Sequence, residues 1–86
     1  MAPADAARAY DALSALALQP LLGRPLEGPL RPARRIEFGT PGGWFRAAYV
    51  VLPDRGECVV FGIGPSAGFY ERVTRRFHAL KREYGL

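Results

Sequence analysis

The chain has 86 residues, enough for one small domain that buries about 60% of the surface its unfolded form exposes. With 49% hydrophobic, 12% aromatic and 23% charged residues it is neither disordered nor fibrous in composition. One cysteine, Cys58, excludes an internal disulfide, and small secreted domains usually depend on such staples, so the cytoplasm is the expected compartment. No apolar run approaches the 18 or so residues of a membrane span, and Asp5 and Asp11 stand where a signal peptide would carry positive charge.

The net charge of +4 is unevenly spread. Residues 1–33 are neutral, 34–67 carry +1, and the remaining +3 comes from Arg72, Arg75, Arg76, Lys81 and Arg82 against Glu71 and Glu83. A basic C-terminal third is a candidate footprint for nucleic acid or an acidic protein.

In chain order, residues 4–18 are rich in strong helix formers, with Tyr10, Leu13 and Ala17 on one face and Leu16 beside it, which predicts a helix. Residues 19–33 hold Pro20, Gly23, Pro25, Gly28, Pro29 and Pro32, which exclude a regular element. The recurring Leu21, Leu22, Leu26 and Leu30 read as a loop pinned to the core.

Alternation of Ile36 and Phe38 with Arg35 and Glu37 predicts a half-buried strand, reversed at Thr40-Pro41-Gly42-Gly43. Phe45 to Leu52 is a second strand, Pro53-Asp54-Arg55-Gly56 a turn, and Glu57 to Ile63 a third strand. From Gly68, Tyr70, Val73, Phe77, Leu80 and Tyr84 recur at helical spacing. The expected fold is α+β: a three-stranded antiparallel meander over 34–63, with helices at 4–18 and 68–84 packed on one face, forming one domain over 1–86.

Two motifs imitate active sites. Gly64-Pro65-Ser66-Ala67-Gly68 fits G-x-S-x-G between a strand and a helix, but too few residues follow to supply an acid and a base on a large parallel sheet. Ser66 reads instead as a helix N-cap. Gly62, Gly64 and Gly68 have the wrong spacing for a dinucleotide loop. One Cys and one His cannot complete a metal site, so Cys58 reads as a packed strand residue and His78 as a surface or boundary residue; no metal or cofactor is expected. What remains is an arginine-aromatic set: Arg34 and Arg35 on the first strand, Trp44, Phe45 and Arg46 opening the second, and Tyr70 at the last helix. Arginine forks match phosphate oxygens, and aromatic rings stack unpaired bases. The plainer alternative is that Arg46 forms a surface ion pair and Tyr70 anchors its helix.

The sequence resembles the RelE/ParE superfamily of small bacterial toxins, also called plasmid-stabilisation proteins. The resemblance is carried by Pro25-Leu26-Glu27-Gly28, Arg35-Ile36-Glu37-Phe38, Trp44-Phe45-Arg46-Ala47-Ala48-Tyr49-Val50-Val51, and Val59-Val60-Phe61-Gly62-Ile63-Gly64 leading to Tyr70 and Arg75-Arg76. It covers about residues 10–84. It implies a curved antiparallel sheet with helices on one side and the working surface on the other. The implied activity is metal-independent cleavage of mRNA on the ribosome, the 2′-hydroxyl attacking the adjacent phosphate. Other members act on DNA gyrase, and most are neutralised by an antitoxin protein.

Carried over by position, Arg46 and Arg35 would contact the scissile phosphate as catalytic residues. Tyr70 would orient the nucleotide or exchange a proton. Arg34, Arg72, Arg76 and Trp44 would bind nucleic acid around them. Glu37 departs from the pattern by standing where a second base is usual, and Pro65-Ser66-Ala67-Gly68 replaces a run that normally holds the principal catalytic arginine. These departures keep a second reading in view, a non-catalytic protein-binding module. The family also has a strand and a helix ahead of the helix expected here at 4–18. The expectation that follows is self-association, or pairing with a partner segment, through an exposed sheet edge.

Overall fold

The computed structural model describes residues 1–85. Helix α1 spans Pro3–Ser14 and tightens into a 3-10 turn over Ala15–Ala17. Pro3 opens it at a position where the missing N–H costs nothing, and Pro20 forbids its continuation. Its buried side is Asp5, Ala9 and, in the 3-10 turn, Leu16, whereas Tyr10 is 74% exposed. The expected apolar face is therefore rotated. Alanine, not the larger tyrosine, lets the helix settle closely over Phe38 and Phe45.

Four strands form one antiparallel sheet in the order β1-β2-β3-β4: Arg24–Pro25, Arg34–Thr40, Gly43–Leu52 and Glu57–Pro65. The expected meander is β2 to β4, and β1 is an addition. Its two residues lie in the proline-rich loop and pair with the start of β2, Arg24 with Arg35 and Pro25 with Arg34. A short outermost strand tolerates proline because its outward N–H has no neighbour to bond. The loop is pinned by buried Leu30 and half-buried Leu26, while Leu21 and Leu22 stay exposed. A second anchor is the Tyr49 hydroxyl, which donates to the Pro20 carbonyl (2.7 Å) and accepts from the Gly23 N–H (2.9 Å).

Helix α2 spans Phe69–Tyr84. The two helices lie on opposite faces of the sheet, which corrects the expectation of both on one face. The reason is in β3. Phe45, Ala47 and Tyr49 pack toward α1 with Ile36 and Phe38. Ala48, Val50 and Leu52 pack toward α2 with Phe61, Phe69, Val73, Phe77 and Leu80. A strand apolar on both sides needs a cover on each.

A register shift opposite Ala48 and Tyr49 leaves Phe61 as the extra residue on β4, turned into the α2 core with its ring centroid 5.3 Å from that of Phe77. Gly62 and Gly64 follow on the same side. A side chain at Gly62 would overlap Val73, and one at Gly64 would meet the Arg72 guanidinium at 2.9 Å, so these glycines set how closely α2 approaches. No helix among the described residues is long and apolar enough to cross a membrane.

Candidate nucleic-acid interface

The α2 face of the sheet is apolar at one end and charged at the other. Continuing the alternation of β3 beyond Ala48 brings Arg46 and then Trp44 onto that face, and the β2 register sets Glu37 opposite Arg46, with Arg35 two residues away on the same side. The Glu37 carboxylate accepts a hydrogen bond from Arg35 and lies 3.7 Å from Arg46 Nε. The Arg35 and Arg46 side chains are only 20% and 24% exposed, so bulk water screens their charges less than it would at an open surface. The bonded Arg35 fork, with Arg46 and Arg24 nearby, holds the Glu37 carboxyl below the usual carboxylate range.

Tyr70 enters from the first turn of α2, after the left-handed Gly68. It is 39% exposed because Phe69 takes the buried position beside it. The Arg46 guanidinium lies over its ring, 5.4 Å from the centroid. Arg46 Nε is buried and has no hydrogen-bond partner among the described residues. Four side chains from β2, β3 and α2 thus form one Arg-Glu-Arg-Tyr cluster, open to solvent at Glu37 and Tyr70.

The other arginines expected at the site divide. Arg34 points to the opposite face and donates to the carbonyls of Leu21 (3.3 Å) and Gly23 (2.6 Å), so it fastens the loop. Arg72 donates to Pro65 and Ala67 (2.9 Å each) and shapes the turn that presents Tyr70. Arg76 is exposed one turn further along α2 and lines a small hollow of about 30 Å³ with Arg72. Ser66 is not the N-cap. Gly68 holds that position, and the Ser66 hydroxyl donates to the Trp44 carbonyl (3.4 Å). His78 is exposed on α2, and Cys58 is a half-buried strand residue whose thiol burial pushes up.

Trp44 is 66% exposed. Its six-membered ring lies over Gly39, 3.8 Å from where a Cβ would stand. It borders a cleft of about 780 Å³ along β2, where β1 has ended, lined also by Arg8, Arg24, Arg35 and Glu37. Arg8 and Arg24 were not among the residues singled out in the sequence. Nothing in their local spacing marks them, since only the pairing of β1 and the docking of α1 bring them to this edge.

No protein-family model, curated protein or solved structure matches the chain. What fold and site define is an α+β protein: a four-stranded antiparallel open sheet between two helices, with a half-buried arginine-tyrosine cluster where α2 begins.

Proposed function

We propose that this chain is a RelE/ParE-like toxin of a type II toxin-antitoxin pair, acting in the cytoplasm by metal-independent cleavage of ribosome-bound mRNA. The observation that carries the reading is the convergence of Arg35, Arg46 and Tyr70 on one surface although they come from three elements. In this reading the mRNA 2′-hydroxyl attacks the adjacent phosphorus, the bond to the 5′-oxygen breaks, and charge accumulates on the phosphoryl oxygens. Arg46 and Arg35 stabilise that charge as guanidiniums, which stay protonated and serve only as donors. The Glu37 carboxylate takes the proton of the attacking hydroxyl, and the Tyr70 hydroxyl supplies one to the leaving oxygen.

Partner binding belongs to the same proposal. β4 is the other outer strand and carries no charge from Cys58 to Pro65, so its free edge suits a strand from an antitoxin or from a second copy.

The alternative reading is a non-catalytic protein-binding module. It is favoured by Glu37, which already occupies Arg35 and faces Arg46, leaving less positive charge for a phosphate.

The test is a reconstituted translation reaction with mRNA ends mapped by primer extension. Cleavage by the wild type that falls by about 10²-fold or more in Arg46→Ala is the expected result. Intact mRNA with folded wild-type protein rejects the nuclease and leaves the binding module.

A further inference from the structure

We infer that the cleft along the open part of β2 is a binding track for single-stranded RNA, with Trp44 stacking a base and Arg8 and Arg24 holding the flanking phosphates. The inference rests on the proposed function in taking RNA as the ligand, and adds where the strand runs beyond the Arg-Glu-Arg-Tyr cluster.

Four observations carry it. First, the cleft, about 780 Å³, has the size of a ligand site and is lined by three arginines against the single carboxylate of Glu37. Second, Arg24 forms no ion pair among the described residues, while its charge is near enough to lower the Glu37 carboxyl. Third, Arg8 is held in place: its Nε donates to the Gly39 carbonyl (3.1 Å), and Asp11 lies at 4.0 Å on the exposed side. Fourth, Trp44 is a large ring left 66% exposed beside a glycine, an arrangement that offers a π-surface to a ligand.

Cleft and cluster are continuous. Arg35 and Glu37 belong to both, and Trp44 stands two residues from Arg46 on the same face of β3. Along β2 the register places Arg24 opposite Arg35 and Trp44 opposite Gly39, with Glu37 and Arg46 between them. A strand whose phosphate sits at Arg46 therefore meets Arg24 on one side and the aromatic platform, with Arg8 at Gly39, on the other. The ligand class fits the spacing of functions: arginine charge for the backbone and a flat ring on which any base can stack.

Trp44 is the chain's one tryptophan, so it reports on its own occupancy. Intrinsic fluorescence is titrated with an eight-nucleotide 2′-O-methyl RNA, which cannot be cleaved through its 2′-oxygen, and affinity is measured in parallel by anisotropy of a labelled copy at several salt concentrations. The expected result is quenching of Trp44 that saturates with binding. Trp44→Ala should weaken binding about tenfold. Arg8→Ala with Arg24→Ala should flatten the slope of log affinity against log salt by about 1.4, since each single-strand phosphate that an arginine neutralises adds about 0.7 to it.

Arg24→Ala alone leaves the Arg8 hydrogen bond to Gly39 intact and should flatten the slope by about half that amount. Absence of quenching, or wild-type affinity and slope in folded Arg24→Ala, overturns the track. So does quenching by an acidic peptide but not by RNA, which gives the cleft to a protein. Quenching by RNA together with intact mRNA in the translation reaction upholds the track and rejects the nuclease, so the two readings fail separately.

Discussion

Arg46 on β3 lies over the ring of Tyr70 at the start of α2, 5.4 Å from its centroid, and this contact ties the charged end of the sheet to the helix. The ring and the hydroxyl of Tyr70 have separate jobs, and two substitutions separate them. Tyr70→Phe keeps the π-face and so the position of Arg46. If the hydroxyl supplies a proton to the leaving oxygen, mRNA cleavage falls by about 10²-fold or more with RNA affinity unchanged. Tyr70→Ala removes the platform as well and should also weaken RNA binding. Equal cleavage by Tyr70→Phe and wild type would remove the hydroxyl from the mechanism.

Glu37 sets the pH behaviour of the cluster. Its carboxyl is held below the usual carboxylate range, first by the hydrogen bond from Arg35 and then by the nearby arginine charges. A depressed carboxyl stabilises the fold fully above its unfolded pKa, near 4.5, and loses that contribution as pH falls through the lower folded value. Through neutral pH Glu37 is ionised and competes with phosphate for both arginines. Glu37→Gln should therefore tighten binding of the uncleavable RNA several-fold at neutral pH, and should remove this part of the acid sensitivity seen in thermal melts. The same variant should lose cleavage if the carboxylate is the base. Tighter binding with undiminished cleavage would leave Glu37 as a brake on affinity alone.

Tyr49 tests the packing of the loop. Its side chain is fully buried, and its hydroxyl joins the Pro20 carbonyl and the Gly23 N–H. Tyr49→Phe keeps the ring and leaves both backbone groups without that partner, at a cost of about 1–3 kcal/mol measured by urea denaturation. The loss should centre on residues 20–25, seen as faster amide exchange there, because β1 follows directly. A wild-type midpoint would mean that Leu26 and Leu30 suffice to hold the loop.

How far the sequence carries is clear from particular residues. The strands and turns from Arg34 onward were legible because each obeys a local rule: alternation in β2, β-branched and aromatic content in β3, proline and glycine at the reversals. The two-residue β1 was not legible, since Arg24 and Pro25 become a strand only by pairing with Arg35 and Arg34. The placement of the helices on opposite faces was written in the unbroken apolar run of β3, whose two parities each find a cover, but a half-buried reading of the neighbouring strand obscured it. Within the site, Arg35, Arg46 and Tyr70 could be named in advance. The fastening roles of Arg34 and Arg72 could not, because each bonds a backbone carbonyl whose position depends on the folded loop.

Gly62 links stability to the site. The bulge at Phe61 brings Gly62 against Val73 of α2, so closely that an added Cβ would overlap the valine side chain. Gly62→Ala should cost about 1–3 kcal/mol by forcing the helix or Val73 aside. Tyr70 sits one turn before Val73, so a lifted helix also draws its ring from Arg46, and RNA cleavage should fall along with stability. Adding Val73→Ala makes room for the new methyl group. In a double-mutant cycle on urea midpoints, the pair should therefore be less destabilised than the sum of its single changes, with part of the cleavage restored. Additive losses would show that the glycine is needed for its backbone and not for the approach of α2.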